Sequence, residues 1–283
     1  MVHFRKNEII LRNAPFSFII FQSQRAKVCE GCLTKIQAPI PCNGCSMVNY
    51  CSPNCQNSTD PSHLHQTLGE CSILKDIGPL RYYLCDDVRM ILRTYLADKV
   101  FGSKADVVPT RPKKMRGFAD LMDHATEIGL DSPNILIELW TQLKMVSIPQ
   151  FNSPSWSTFV STYGKILTNS YTIIDEKSGE KLAKALYLGG SYFDHSCQPN
   201  ARPRFDGFSL ELLAMDNIKA KDDLRNVIKS NIKGYLFPIW LTLYSFFQVR
   251  ICYVDVNQTR EEINKELEAI WYFKCDCLRC NSE

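Results

Sequence analysis

Asp194-His-Ser-Cys-Gln-Pro-Asn200 is the run from which the fold is read. Its seven residues join an imidazole, a thiol and a turn-forming Pro-Asn pair. Pro199 has no N–H to give a helix, and it biases Gln198 toward extended backbone. The run is therefore expected to be a tight loop that presents side chains and backbone to something.

The surrounding chain has 283 residues, enough for one large domain with attachments or for two. Its apolar fraction of 45% supplies a core. A net charge of +3 is too small to make nucleic acid the primary partner. The informative count is 13 cysteines. Residues Met1 to Glu8 carry no apolar signal segment, so closely spaced thiols point to metal rather than disulfides, in the nucleus or cytoplasm. Gly234 to Phe247 is strongly apolar. It falls short of the roughly 20 residues of a spanning helix and contains Pro238, so no membrane role is expected.

Cys29-x2-Cys32, Cys42-x2-Cys45 and Cys51-x3-Cys55 are followed by His63, His65 and Cys71. A Cys-x2-Cys pair lets two thiolates converge on one tetrahedral Zn2+ at about 2.3 Å. Three cysteine pairs give six ligands, and two zincs need eight, so a histidine and Cys71 complete the set. Farther on, Cys275-x-Cys277-x2-Cys280 offers three thiolates and leaves one tetrahedral position open.

Residues 72–165 are expected to be mainly helical, with Leu80, Leu84, Val88, Ile91, Leu92 and Tyr95 forming a buried stripe. Val107 to Gly117, with its prolines and basic run, is expected to be a solvated loop. Gly117 to Leu130 and Ser132 to Lys144 are expected to be helices, with Asp131 or Ser132 as a cap. His124 and Trp140 are read as packing residues.

The loop at Asp194 resembles the Asn-His-Ser-Cys-x-Pro-Asn signature of SET-domain lysine methyltransferases, with Asp194 in place of Asn. The upstream cysteines narrow the resemblance to the SET-and-MYND family, of an arthropod type, over nearly the whole chain. It implies an α+β fold: small antiparallel SET sheets with a helical insert, a MYND zinc finger and a post-SET zinc segment. On that template residues 1–28 are the N-terminal part of SET, 29–71 the finger and 72–165 the insert. Residues 166–256 are the SET core, and 257–283 the post-SET segment. The family's Gly-x-Gly cofactor turn would precede residue 1, so the chain reads as N-terminally truncated, and it stops before the family's C-terminal helical domain.

The resemblance also implies a ligand set. One zinc takes Cys29, Cys32, Cys51 and Cys55, and an interleaved one takes Cys42, Cys45, His63 and Cys71. His65 is the alternative to His63, because eight helical residues from His63 to Cys71 would span about 12 Å unless the helix breaks, for instance at Gly69. A third zinc takes Cys197, Cys275, Cys277 and Cys280. Cys85 and Cys252 remain, as buried thiols.

The implied activity is methyl transfer from S-adenosyl-L-methionine to a lysine of a protein substrate, histone or non-histone. Asn169, Asp194, His195, Tyr253 and Phe273 would contact the cofactor, and Tyr253 would be the catalytic tyrosine. Such a site must aim a neutral amine and shed water, and aromatic walls suit its cations. Ionised Asp194 only accepts hydrogen bonds, so it is expected to weaken cofactor binding relative to Asn. The finger implies a proline-rich peptide partner. The alternative is a weak or inactive SET/MYND interaction module acting as a transcriptional regulator. An atypical insertion at about 226–249 interrupts the SET core. Asn226-Val227 and Phe246-Phe-Gln248 fit the ends of a translated intron, and the rival reading is a substrate or partner loop.

Overall fold

The chain opens with three strands, β1 (His3–Phe4), β2 (Ile9–Asn13) and β3 (Ser17–Ile20). The structure, a computed structural model, describes residues 3–60, 62–102, 104–107, 115–146, 148–149, 151–219 and 249–282. The finger follows. Val28 bridges Lys35, and β4 (Ile40–Pro41) pairs with β5 (Asn49–Tyr50). Helix α1 (Pro53–Gln56) starts at Ser52, whose hydroxyl accepts the Cys55 N–H at 3.2 Å. Pro53 sits in its first turn, where a missing N–H costs nothing. Helices α2 (Leu64–Thr67) and α3 (Glu70–Asp76) meet at Gly69, whose φ of +73° turns the chain sharply.

Helix α4 (Asp86–Phe101) is the central strut. It packs along β3, whose four side chains are all buried. Ser17 Oγ and Thr94 Oγ1 lie 2.7 Å apart, and Arg93 Nη1 donates to the Phe18 carbonyl at 2.7 Å. Leu84, Val88, Ile91, Leu92 and Tyr95 are buried as the stripe requires. Leu80 is not part of it: it lies 45% exposed in a 3-10 turn, Gly78–Tyr83.

The expected loop over Val107 to Gly117 is in part a hairpin: β6 (Ala105–Val107) pairs with β7 (Met115–Gly117), and 108–114 lie outside the described residues. The helix expected from Gly117 to Leu130 is also shorter. A 3-10 turn at Phe118–Asp120 precedes α5 (Ala125–Asp131), which begins after His124 at φ +44°. The intervening loop is claimed by a later helix instead: Thr168 and Asn169 both donate side-chain hydrogen bonds to the Met122 carbonyl at 2.9 Å. Asp123 approaches so closely that a Cβ at Gly164 would meet its carbonyl oxygen at 1.8 Å. Helix α6 (Pro133–Lys144) starts at Ser132, whose side chain makes no cap bond. Helix α7 (Trp156–Asn169), capped by Ser155, runs through the boundary expected at residue 165.

Two three-stranded antiparallel sheets form the SET-type core. In one, β3 and β8 (Ser170–Ile174) flank β9 (Lys181–Leu186). After β9, β10 (Asp194–His195) leads into the organising loop. In the other sheet, β11 (Ala201–Asp206) and β2 flank β12 (Ser209–Ala214). β13 (Ile218–Lys219) pairs with β1. β14 (Arg250–Ile251) lies parallel to β10, with Asp194 opposite Arg250 and His195 opposite Ile251. The Asp194–Asn200 run is thus two paired residues and a loop, held by Ser196 N–H to Ile251 O at 2.9 Å and Asn200 N–H to Arg250 O at 3.1 Å. Helices α8 (Arg260–Trp271) and α9 (Leu278–Ser282) close the chain.

Residues 220–248 lie outside the described residues, and the intron reading and the apolar run fall there. Among the described residues no helix is long and apolar enough to cross a membrane. Cys85 and Cys252 are half-buried rather than fully buried.

Candidate functional site

Three sets of four ligands converge: Cys29, Cys32, Cys51 and Cys55; Cys42, Cys45, His65 and Cys71; Cys197, Cys275, Cys277 and Cys280. Within each set the ligand atoms all lie within 4.8 Å of one another. Tetrahedral zinc with bonds of about 2.3 Å separates its sulfurs by about 3.8 Å. Cys32 and Cys51 lie 3.7 Å apart, Cys51 and Cys55 3.6 Å, Cys197 and Cys275 3.7 Å, and Cys197 and Cys280 3.6 Å. Without a cation such thiols resist ionising together, and burial pushes Cys29 up to about 12. The donor sets fit three structural zincs, each with four protein ligands and no open position.

The second set corrects the expected ligand. His65, not His63, faces Cys42, Cys45 and Cys71. His63 precedes α2 and packs over Gly31, where an added Cβ would meet its Cε1 at 2.8 Å. The choice is made by partners. His65 is fully buried, and its Nδ1 donates to Glu70 Oε2 at 2.6 Å, which leaves the Nε2 lone pair for metal. The left-handed turn at Gly69 then brings Cys71 back toward Cys42, with the two sulfurs 3.4 Å apart.

Glu70 continues inward. Arg89 donates to it at 3.1 Å and Arg93 pairs with it as well, while Arg93 also donates to Glu30 at 2.7 Å. Burial opposes ionisation of Glu70, but Arg89, Arg93 and His65 outweigh it and hold the carboxyl well below its usual range. The finger is thereby bolted to α4 through a buried charge network.

A cavity of about 370 Å³ opens where the SET sheets, α7 and the C-terminal segment meet; Asn169, Tyr171, Phe193, Ile251, Tyr253 and Trp271 are among its walls. Aromatic rings gather around Tyr253, Trp271 within the cavity wall and His195 and Phe273 behind it. The Trp271 ring lies 5.1 Å from it, His195 5.3 Å, and Phe273 6.5 Å edge-on. The Tyr253 hydroxyl donates to the Phe193 carbonyl at 2.6 Å. Burial, then Asp194, pushes that hydroxyl above its ordinary value, so it stays protonated.

The expected site residues take distinct places. Asn169 ends α7 and lines the cavity, with its amide nitrogen donating to Met122 O and Lys165 O at 2.9 Å each. His195 is buried with both ring nitrogens engaged: Nδ1 accepts the Tyr253 N–H at 3.1 Å, and Nε2 faces Cys197 Sγ at 3.3 Å. Burial and Arg250 lower its pKa to about 4, so the ring is neutral. Asp194 is exposed, and Phe273 is 36% exposed beside the ring cluster.

Sequence reasoning missed Trp271, whose indole N–H donates to Thr168 O at 2.8 Å, and Tyr171, whose hydroxyl donates to Gly190 O at 2.7 Å. The aromatic run ending at Phe273 was the available signal for the first. The second lay two residues after Asn169 and carried none.

With this geometry in view, the similarities gain meaning. A family model for the MYND finger matches residues 29–66. Histone-lysine N-methyltransferase SMYD3 of mouse is 28% identical over 99% of this chain and 57% of its own length. The corresponding values are 24%, 99% and 51% for histone-lysine N-methyltransferase ASHR1 of Arabidopsis thaliana. For human N-lysine methyltransferase SMYD2 they are 20%, 99% and 56%. The chain thus spans about half the length of the curated relatives it matches. The finger, the C-terminal cysteine cluster closed by Cys197 and the similarity along nearly the whole chain all point the same way, to likeness with the SET-and-MYND lysine methyltransferases.

Proposed function

We propose that this chain carries the methyl-transferring part of an S-adenosylmethionine-dependent protein-lysine N-methyltransferase. The observation that carries the reading is the aromatic cavity around Tyr253, whose hydroxyl is anchored on Phe193 O. Its volume of about 370 Å³ lies in the range of small-molecule sites, and its ring faces suit a sulfonium cation. S-adenosylmethionine supplies an already activated methyl group. Asn169, Tyr253 and the aromatic walls would hold and orient it, with Asp194, His195 and Phe273 shaping that end of the site.

The residues' own contributions follow from their settings. Tyr171, Tyr253 and Trp271 exclude water, and a lysine amine among them is driven toward its neutral form, by up to about 3–5 pKa units for full burial. Tyr253 keeps its proton and takes none from lysine, so its role is orientation. His195 supports the Tyr253 backbone instead of acting as a base.

The relatives' names carry protein lysine to this chain as its substrate class, with histone and non-histone targets both proposed. A proline-rich peptide is proposed for the finger. The setting is proposed to be nucleus or cytoplasm, where thiols stay reduced for metal.

The test is transfer of labelled methyl to histones and to a cell-extract protein pool, alongside donor binding by calorimetry. Wild type should bind the donor and label lysine, while Tyr253→Phe should bind it and transfer about a hundredfold more slowly. Absence of donor binding by the folded, zinc-loaded protein would sink the reading and favour the interaction module.

A further inference from the structure

Arg116 was read from sequence as part of a solvated basic run, yet the structure sets it against Ser191, a wall residue of the Tyr253 cavity. It lies in β7 opposite Asp106 of β6. The hairpin is pinned from two sides. Asp106 accepts from Asn13 Nδ2 at 2.8 Å, and Asn13 Oδ1 accepts the Gly190 N–H at 3.0 Å. Arg116 Nε donates to Ser191 Oγ at 3.0 Å, and Ser191 lines the cavity. The guanidinium carbon lies 5.9 Å from the Tyr192 ring centre.

The group is half-buried, and burial lowers its pKa while Asp120, Tyr253, Tyr192 and Asp194 pull it back up. Its charge acts on the hydroxyls of both Tyr253 and Tyr171. Other cations nearby are committed: Lys184 pairs with Asp87 at 2.8 Å, and Arg250 Nη1 donates to His195 O at 3.2 Å. Among the described residues the two terminal nitrogens of Arg116 make no hydrogen bond or ion pair. A planar donor fork left open in a partly desolvated place matches a carboxylate.

We infer that Arg116 is a ligand-binding residue of this cavity, and that its fork holds the carboxylate of the methyl donor's methionine moiety. This rests on the reading of the cavity as a donor site. Asp194 and Arg116 both act on the Tyr253 hydroxyl with opposite sign, so the cation would also offset repulsion between the Asp194 carboxylate and that of the donor.

Calorimetry with S-adenosylmethionine and with its decarboxylated analogue, on the zinc-loaded full chain, tests it. Wild type should prefer the carboxylated donor by about tenfold to a hundredfold, the worth of a hydrogen bond to a charged group. Arg116→Gln should lose that preference while binding the decarboxylated analogue like wild type, which also verifies that it folds. Arg116→Lys, with charge but no fork, should keep part of the preference. Should Arg116→Gln discriminate as wild type does, or wild type not discriminate, the assignment to Arg116 fails while the donor site stands. Should Arg116→Gln not fold, full discrimination by Arg116→Lys would overturn the role of the fork and partial discrimination would support it. If wild type binds neither compound, the donor-site reading itself falls, and this inference with it.

Discussion

The imidazole of His195 rests on the sulfur of Cys197, with Nε2 3.3 Å from Sγ. Because Nδ1 accepts the Tyr253 N–H, the ring proton sits on Nε2 and points at that sulfur. One neutral ring therefore ties the third zinc cluster to the backbone of Tyr253, the residue proposed to orient methyl transfer. His195→Ala should weaken zinc at that cluster by about tenfold to a hundredfold, as lost outer-sphere partners do, and loosen donor binding with it. Competition with a chromogenic chelator, alongside donor titration, measures both; zinc affinity unchanged by the substitution would dissolve the link.

Metal counting distinguishes the two histidines of the finger. Wild type should contain three zincs, one for each ligand set. His63→Ala should keep three, whereas His65→Ala should lose one. Elemental analysis of the purified variants decides, and the reverse pattern would restore His63 as the ligand.

Glu70→Gln should destabilise the fold by about 3–5 kcal/mol, since Arg89 would keep a buried charge without its carboxylate and Arg93 would be left with Glu30 alone. Urea denaturation reads this. A loss below about 1 kcal/mol would mean that the network is solvated in solution.

Asp194 and Arg116 should couple. Asp194→Asn is expected to raise donor affinity slightly in wild type and more in the Arg116→Gln background, where nothing offsets the carboxylate. A double-mutant cycle by calorimetry measures the difference. Strict additivity of the two changes would show that the side chains do not share a ligand.

Acid should weaken the β2–β12–β11 sheet through Glu211. This buried side chain pairs with Arg204 and Arg12, which hold its pKa below the ordinary value against the opposing effect of burial. A lowered folded pKa means that the stabilisation is fully present above the unfolded value of about 4.3 and fades as pH falls through the folded one. The stability gap between wild type and Glu211→Gln should therefore be widest near neutrality and close below about pH 4. A gap that stays constant across that range would contradict the pairing.

What the sequence determined by itself is local. Thiols spaced Cys-x2-Cys reach one ion whatever the rest of the chain does, so the finger and the C-terminal half-site were legible from spacing. The Asp194–Asn200 run was legible because Pro199 excludes a helix. Tertiary structure decided the rest. Whether His63 or His65 faces the metal depends on Glu70, which Arg89 and Arg93 hold from a separate helix, and on a left-handed turn at Gly69. Arg116 carries the same local signal as the lysines before it, and only the Asn13–Asp106–Gly190 contacts lodge it beside Ser191. The cavity is assembled from α7, β8, Lys184 of β9, Ser191 and Phe193 ahead of β10, Pro203 of β11, β14 with Tyr253, and the end of α8. No window of sequence contains it, because its walls meet only once burial and zinc geometry have folded distant segments together.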